Sequence, residues 1–258
     1  MKLTLLYFSP TRTTKKIVAA VGKVFFERML CETKLIDLTP LAARMRSYSF
    51  SEEDVVVFGA PVYGGRLPAL LLPVLEKAEG NGARAVVLSV YGNRDYDSAL
   101  AESCDLLSAR GFCVCAAGAF IGEHSYTSAV GRGRPDAEDL LAAQTFGVVA
   151  WDNVSARKVL PSGACGKKPY KEYSPFLLSP KQMPAADADK CTKCGKCIAV
   201  CPVCNIGADL SDLGRCIACA ACVKSCPEHA RSFGAQIAAT AEKLEKMCAE
   251  RRQPKFFV

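Results

Sequence analysis

The sequence predicts an α/β fold in two units: a doubly wound, five-stranded parallel sheet, followed by a small α+β module rich in cysteine. Three observations carry this. Near-continuous apolar runs alternate with segments of helical periodicity across residues 1–155, as in a parallel sheet covered on both faces. Polar, turn-rich loops stand at the ends of those runs. Cys191, Cys194, Cys197 and Cys201, followed by Pro202, recur 25 positions on as Cys216, Cys219, Cys222 and Cys226, followed by Pro227.

In chain order, Lys2 to Phe8 reads as a strand and leads through Ser9 to Thr14 into a helix over Lys15 to Leu30. There Ile17, Val18, Val21, Val24 and Phe25 recur at helical spacing. Hydroxyls packed into a loop that opens a helix, with unpaired amides and the positive end of the dipole, suit a phosphate; an ordinary Ser/Thr cap is the plain alternative. Lys34 to Leu38 and Val55 to Ala60 read as the second and third strands, the latter ending in Pro61 to Pro68. Ala83 to Tyr91 is a fourth, followed by Gly92 to Asp97 and a helix from Ser98 to Arg110. Phe112 to Ile121 is a fifth, followed by the loop Gly122 to Pro135 and a helix from Asp136 to Asn153.

Trp151 to Pro184 carries five prolines and little periodicity, so residues 156–186 read as a linker between domain 1–155 and a module at 187–232. Residues 233–258 read as an amphipathic helix, Ala235 to Arg251, and an apolar tail expected to pack on the body.

The cysteine repeat has a specific chemistry. Three thiolates at every third residue can wrap one face of a cubic cluster, and the fourth, turned away by the proline, can reach across to a second cluster, so the spacing reads as two [4Fe-4S] centres. Zinc favours paired ligands across a longer spacer. Disulfides need an oxidising compartment, whereas the opening apolar run is too short for a secretory core and stops at Ser9. Abundant free thiols fit a reducing cytoplasm. Cys204, two residues after Pro202, falls outside the pattern and is expected as buried filler.

The formal charge of +7 would suggest an anionic partner. Eight thiolates add about −8, two oxidised cluster cores about +4 and a phosphate at Ser9 to Thr14 about −2, which brings it to about +1, so nucleic acid is not implied. Loading both clusters turns the module acidic, which suits a basic face on a redox partner or on the first domain. Leu67 to Leu75, the longest apolar stretch, is interrupted by Pro68 and Pro73 and is too short to span a membrane.

Asp187 to Arg231 closely resembles a bacterial two-cluster ferredoxin. That resemblance implies that Cys191, Cys194, Cys197 and Cys226 hold one cluster, and Cys216, Cys219, Cys222 and Cys201 the other. Ala218 and Ala220 stand where such domains often have small turn residues including glycine. Ser9 to Thr14, Pro61 to Gly65 and Tyr91 to Asp97 look like the three flavin loops of a flavodoxin, whose sheet, ordered 2-1-3-4-5, binds FMN beyond the carboxyl ends of its strands.

Carried onto this sequence, Ser9, Thr11, Thr13 and Thr14 are expected to donate to the phosphate. Arg12, where flavodoxins usually have glycine, would add a charge-assisted contact. Tyr63 and Tyr91 are candidates to lie against the isoalloxazine, beside Pro61 and Val62. Gly64, Gly65 and Gly92 would let amides approach the ring edge. Asn93, Arg94, Asp95 and Tyr96 complete the third loop, with Asp95 and Asp97 alternatively capping the next helix. Glu123 and His124 follow the fifth strand, where His124 is a candidate proton donor or simply a solvated loop residue.

Over nearly its full length the chain resembles the fused flavodoxin–ferredoxin family of anaerobes. The resemblance implies an iron-sulfur flavoprotein relaying electrons between two clusters, FMN and a redox partner protein. The alternative is an FMN-dependent reductase of a small acceptor, although no nicotinamide fingerprint follows a strand. No DNA-binding signature supports a regulator.

Overall fold

A computed structural model describes residues 2–173 and 181–258; Met1 and residues 174–180, part of the expected linker, lie outside the described residues. The first five strands are β1 (Leu3–Tyr7), β2 (Thr33–Asp37), β3 (Val55–Pro61), β4 (Arg84–Tyr91) and β5 (Cys113–Ile121), all parallel and ordered 2-1-3-4-5. That is a flavodoxin-like sheet. Its central strands are buried along almost their whole length because helices cover both faces.

One face packs against α1 (Thr13–Met29) and α5 (Ala137–Ser155), through Ile17, Val21 and Phe25 from α1 and Phe146 and Ala150 from α5. Gly59 on β3 makes that approach possible, since a Cβ there would lie 2.3 Å from Val18 Cγ2. α5 starts cleanly on a capping box in which Asp136 and Asp139 each accept the other's amide. The opposite face packs against the short helices α2 (Leu41–Arg44) and α3 (Leu72–Leu75) and against α4 (Ala99–Ala109), with Leu71, Leu75, Leu100 and Leu107 buried.

In the module, β6 (Ala185–Ala186) pairs antiparallel with β7 (Arg231–Ser232), and the one-turn helices α6 (Lys196–Ala199) and α7 (Ala221–Lys224) lie within the two cysteine runs and carry Cys197 and Cys222. Next comes α8 (Ala235–Met247) and then β8 (Lys255–Phe257).

β8 adds to the expected architecture. It pairs antiparallel with β5, making the sheet six-stranded. An unpaired β5 would expose a row of backbone donors and acceptors at the sheet edge, and the returning tail covers it. Phe256 lies 5.7 Å from Phe120 and 5.1 Å from Phe146, ring centre to ring centre. Three residues are too few to show an alternating pattern, so the expected apolar tail carried no strand signal.

No helix among the described residues is long and apolar enough to cross a membrane.

Candidate functional site

A cleft of about 300 Å³ opens beyond the carboxyl ends of the parallel strands. Its floor comes from three loops. The first contributes Pro10, Thr11, Thr13 and Thr14, the second Pro61, Val62, Tyr63 and Gly64, and the third Tyr91 and Gly92. These lie together because successive parallel strands end at the same side of the sheet.

The first loop is held by Ser9, whose Oγ accepts from Lys15 N at 3.0 Å while its own amide donates to Thr39 Oγ1 at 2.9 Å. Ser9 therefore shapes the loop and does not line the cleft. Arg12 sits at the head of α1 with φ 67, in the left-handed region, which is the physical reason that glycine suits this position. Its side chain is exposed and lies outside the cleft. No acidic residue stands in the first turn of α1, and its N-cap residue Arg12 makes no side-chain cap bond; Ser9 takes only the Lys15 amide, so the positive end of the helix lies beside Thr11, Thr13 and Thr14.

The second loop is braced from behind. Arg66 forms a two-pronged pair with Glu102 of α4, at 2.8 and 2.7 Å, and Glu102 also accepts from Leu67 N at 2.9 Å. Tyr173 donates to Leu67 O at 2.6 Å, and the Arg66 guanidinium lies 4.0 Å from its ring centre. Gly65 is required where it is: at φ 88, a Cβ would meet Asp97 Oδ2 at 2.1 Å. Burial lifts the Tyr63 phenol well above its usual range and pushes Tyr91 up to about 12, so both rings stay neutral.

The third loop does two jobs. Tyr91 and Gly92 line the cleft. Asn93 is turned away, its amide donating to Cys248 O and Glu250 O while its carbonyl accepts from Arg252 N, which ties down the C-terminal tail. Arg94 pairs with Asp97, and Lys171 reaches Asp97 at 3.1 Å. Neither Asp95 nor Asp97 caps α4, whose N-cap residue is Ser98 and makes no side-chain cap bond. Asp95 instead accepts from Asp97 N at 3.0 Å in a local turn. Tyr96 packs on Tyr91, with ring centres 5.7 Å apart.

The roof comes from two places. Glu123, His124, Ser125 and Tyr126 fold over from the loop after β5, while Ile217 and Ala218 come from the cysteine module and Lys181 from the segment that leads into it. Tyr126 N donates to His124 Nδ1 at 3.1 Å, leaving the ring proton on Nε2. Burial first, then the charges of Lys224 and Arg94, pull His124 down to about 4, so it stands as a neutral imidazole in the cleft wall. It is neither a solvated residue nor a ready source of protons at neutral pH. Burial also lowers the ammonium of Lys181.

The module is seated by Ile217 against the α4-side core, by Lys224 Nζ reaching Glu123 at 2.5 Å and His124 O at 3.0 Å, and by Arg44 bonding Pro202 O. Arg44, Arg66, Glu102, Tyr126, Tyr173, Lys181 and Ile217 were not legible as site residues, because their role depends on packing between units.

Within the module two hollows appear. One is lined by Cys191, Cys194, Cys197 and Cys226, the other by Cys201, Cys216, Cys219 and Cys222. The crossing of Cys201 and Cys226 is therefore present in the folded chain. Amides point at the sulfurs: Asn205 N lies 3.2 Å from Cys201 Sγ, Ala230 N 3.3 Å from Cys226 Sγ and Ala218 N 3.4 Å from Cys216 Sγ, and Arg231 Nη2 is 3.4 Å from Cys197 Sγ. Such donors suit sulfurs that carry negative charge.

Burial pushes Cys219 up to about 12 and Cys222 to about 11, so thiolates there need the positive charge of bound metal. Each hollow is lined by four thiols, the donor chemistry that an iron-sulfur cluster takes. Cys204 corrects an expectation: it is exposed, because it occupies a left-handed turn residue, φ 49, that turns its side chain out of the module.

Residues 183–227 match the family model of the 4Fe-4S dicluster domain. A comparison with curated proteins returns no match. Among solved structures, oxidised flavodoxin 1 from Bacillus cereus is 18% identical over 59% of this chain and 98% of its own, with a TM-score of 0.43. Rubredoxin oxygen:oxidoreductase from the anaerobe Desulfovibrio gigas is 14% identical over 60% of this chain, with a TM-score of 0.42, and the match spans 36% of that protein's length. The flavodiiron protein from Giardia intestinalis is 18% identical over 60% of this chain and 36% of its own, with a TM-score of 0.40. A dicluster-type domain on the cysteine repeat thus follows a flavodoxin-like parallel sheet ordered 2-1-3-4-5, an arrangement that fits a fused flavodoxin–ferredoxin protein.

Proposed function

We propose that this protein relays electrons between an external one-electron partner and FMN by way of two [4Fe-4S] clusters, in a reducing cytoplasm. The observation that carries the reading is the position of Ile217 and Ala218. They lie between the ligand candidates Cys216 and Cys219, and they also wall the cleft formed by the three flavin loops. The cluster on Cys201, Cys216, Cys219 and Cys222 is then the inner one, against the flavin. The cluster on Cys191, Cys194, Cys197 and Cys226 is the outer one, with Cys194 exposed to a partner.

When bound, clusters supply one electron at a time and FMN accepts one or two. The chain's own residues do the rest. Thr11, Thr13 and Thr14 with the α1 terminus would hold the phosphate, Tyr63 and Tyr91 would flank the ring, and Gly92 would let an amide reach its edge. At Gly92 a Cβ would lie 2.4 Å from His124 Cδ2, so the loop and the roof close on each other only with glycine there. Lys181 brings a cationic group to the cleft wall.

A second reading, an FMN-dependent reductase of a small acceptor, is favoured by one observation. A cavity of about 350 Å³ adjoins the cleft, sharing Tyr91, Gly92 and His124 with it and reaching Thr240 and Leu244 of α8. A roofed flavin beside such a space suits a small molecule better than a second protein. Reductive titration of anaerobic, iron-replete protein tests the relay. Uptake of about four electrons per chain is expected, two by the clusters and two by the flavin; about two would remove the flavin.

A further inference from the structure

Two cysteines that the relay does not use form a close pair. Cys104 on α4 donates its thiol to Cys165 Sγ at 3.4 Å, and the two side chains are 8% and 6% exposed. Cys165 sits on the strap that leaves α5, in consecutive turns where Ala164 N donates to Pro161 O and Gly166 N to Gly163 O. Gly163 and Gly166 both have positive φ, 78 and 143. A turn bounded by glycines can absorb the shift of about 1.4 Å that separates this contact from an S–S bond. Beside the pair lies a cavity of about 230 Å³ lined by both thiols, Ser108 and Gly163, with room for a small oxidant. The Cys104 hydrogen bond favours the thiolate of Cys165 and disfavours its own, which divides the roles.

We propose that Cys104 and Cys165 are a dithiol–disulfide couple oxidised by hydrogen peroxide, whose disulfide staples the strap to α4. The Cys165 thiolate attacks one peroxide oxygen, the O–O bond breaks, hydroxide leaves and Cys165 becomes a sulfenic acid. The Cys104 sulfur then attacks the Cys165 sulfur, the S–S bond forms, the S–O bond breaks, and the thiol proton leaves with the hydroxyl as water. Two thiols lose two electrons and one peroxide becomes two waters. A dithiol reductant reverses the change by exchange.

The staple lies on the strap segment that continues to Tyr170, which bonds Asp105, and to Tyr173, which braces the second flavin loop. It therefore fixes that brace. The couple involves no cluster or flavin residue, so its test stands apart from the relay.

The test uses cluster-loaded, full-length protein under anaerobic conditions, given about one equivalent of hydrogen peroxide, then alkylated and mapped by peptide mass spectrometry while the cluster absorption is followed. A Cys104–Cys165 linked peptide is expected before Cys31 or Cys113 is oxidised and before cluster absorption falls. Tm should rise, and dithiothreitol should return it. In C104S, dimedone should trap a sulfenic acid on Cys165; in C165S, Cys104 should stay unlabelled. The couple is overturned if both thiols remain alkylatable while Cys31 oxidises or the clusters bleach. Labelling of Cys104 in C165S, with none of Cys165 in C104S, overturns the division of roles.

Discussion

The two cysteine runs share a backbone and differ in what surrounds it. Lys193 and Ala218, 25 residues apart, have φ 55 and 52; Gly195 and Ala220 have 73 and 65; Cys204 and His229 have 49 and 48. The left-handed residues thus repeat with the cysteines, and they do so whether the residue is Gly, Ala, Lys or His. Around that common cage the second run is apolar, with Ile217, Ala218, Ala220 and Ala221, and its Cys216, Cys219 and Cys222 are buried. The first run carries Thr192, Lys193 and Lys196, and its Cys194 is exposed. The spacing of cysteines builds a cage, and the residues between them decide whether it faces the cleft at the mouth of the sheet or the solvent.

The sharpest way to break this comparison is to remove one ligand from each run. Cys219→Ala and Cys194→Ala should each lose about half the iron, one cluster's share. Only Cys219→Ala should abolish reduction of the flavin through the clusters, a loss of roughly a hundredfold or more, because the remaining cluster has no neighbour against the cleft. With Cys194→Ala, small one-electron mediators that reach the inner cluster should still reduce the flavin. The reverse pattern, flavin reduction surviving Cys219→Ala and lost in Cys194→Ala, would invert the order of the relay. Iron content and stopped-flow flavin absorbance read both outcomes.

A smaller effect is expected at the seat of the inner run. Ile217→Asp puts a carboxylate against the apolar core under the cleft, at a cost of about 2 kcal/mol to docking. Transfer from reduced clusters to flavin should slow by roughly tenfold while both clusters remain, and Ile217→Val should stay near wild type. An unchanged transfer rate in Ile217→Asp would mean that the path does not depend on this contact.

Much of this was readable in advance, for identifiable reasons. Cluster spacing and strand periodicity are local, so the cysteine sets, the parallel sheet and the three loops at its mouth follow from the residues themselves. Ala218 and Ala220 were legible as departures from glycine, but not as walls of another domain's cleft. Asn93 lies in a loop that reads as flavin-binding, yet its amide binds the backbone of residues 248, 250 and 252, a contact across more than 150 positions. Nor does any pattern around Arg66 announce that Glu102 and Tyr173 will hold it. Contacts of this kind are set by tertiary packing, and a residue's neighbours in sequence carry no trace of them.

The smallest predicted effect concerns the hinge between loop and module, where His124 lies beside Lys224. Its folded pKa, about 4, lies below the ordinary 6.5 because burial and two nearby cations penalise the charged ring. The unfolded chain therefore takes up the proton first as pH falls. The stability that His124 contributes by staying neutral is intact above pH 6.5 and drains away between 6.5 and 4. Between pH 7 and pH 5 the loss should be about 1–2 kcal/mol, seen as a falling Tm. His124→Gln keeps a polar side chain of similar reach without that ionisation, so its Tm should fall less over the same interval. Parallel curves for the two proteins would show that His124 is already solvated and protonates freely, and that the module does not press on this loop as closely as its Ile217 presses on the core.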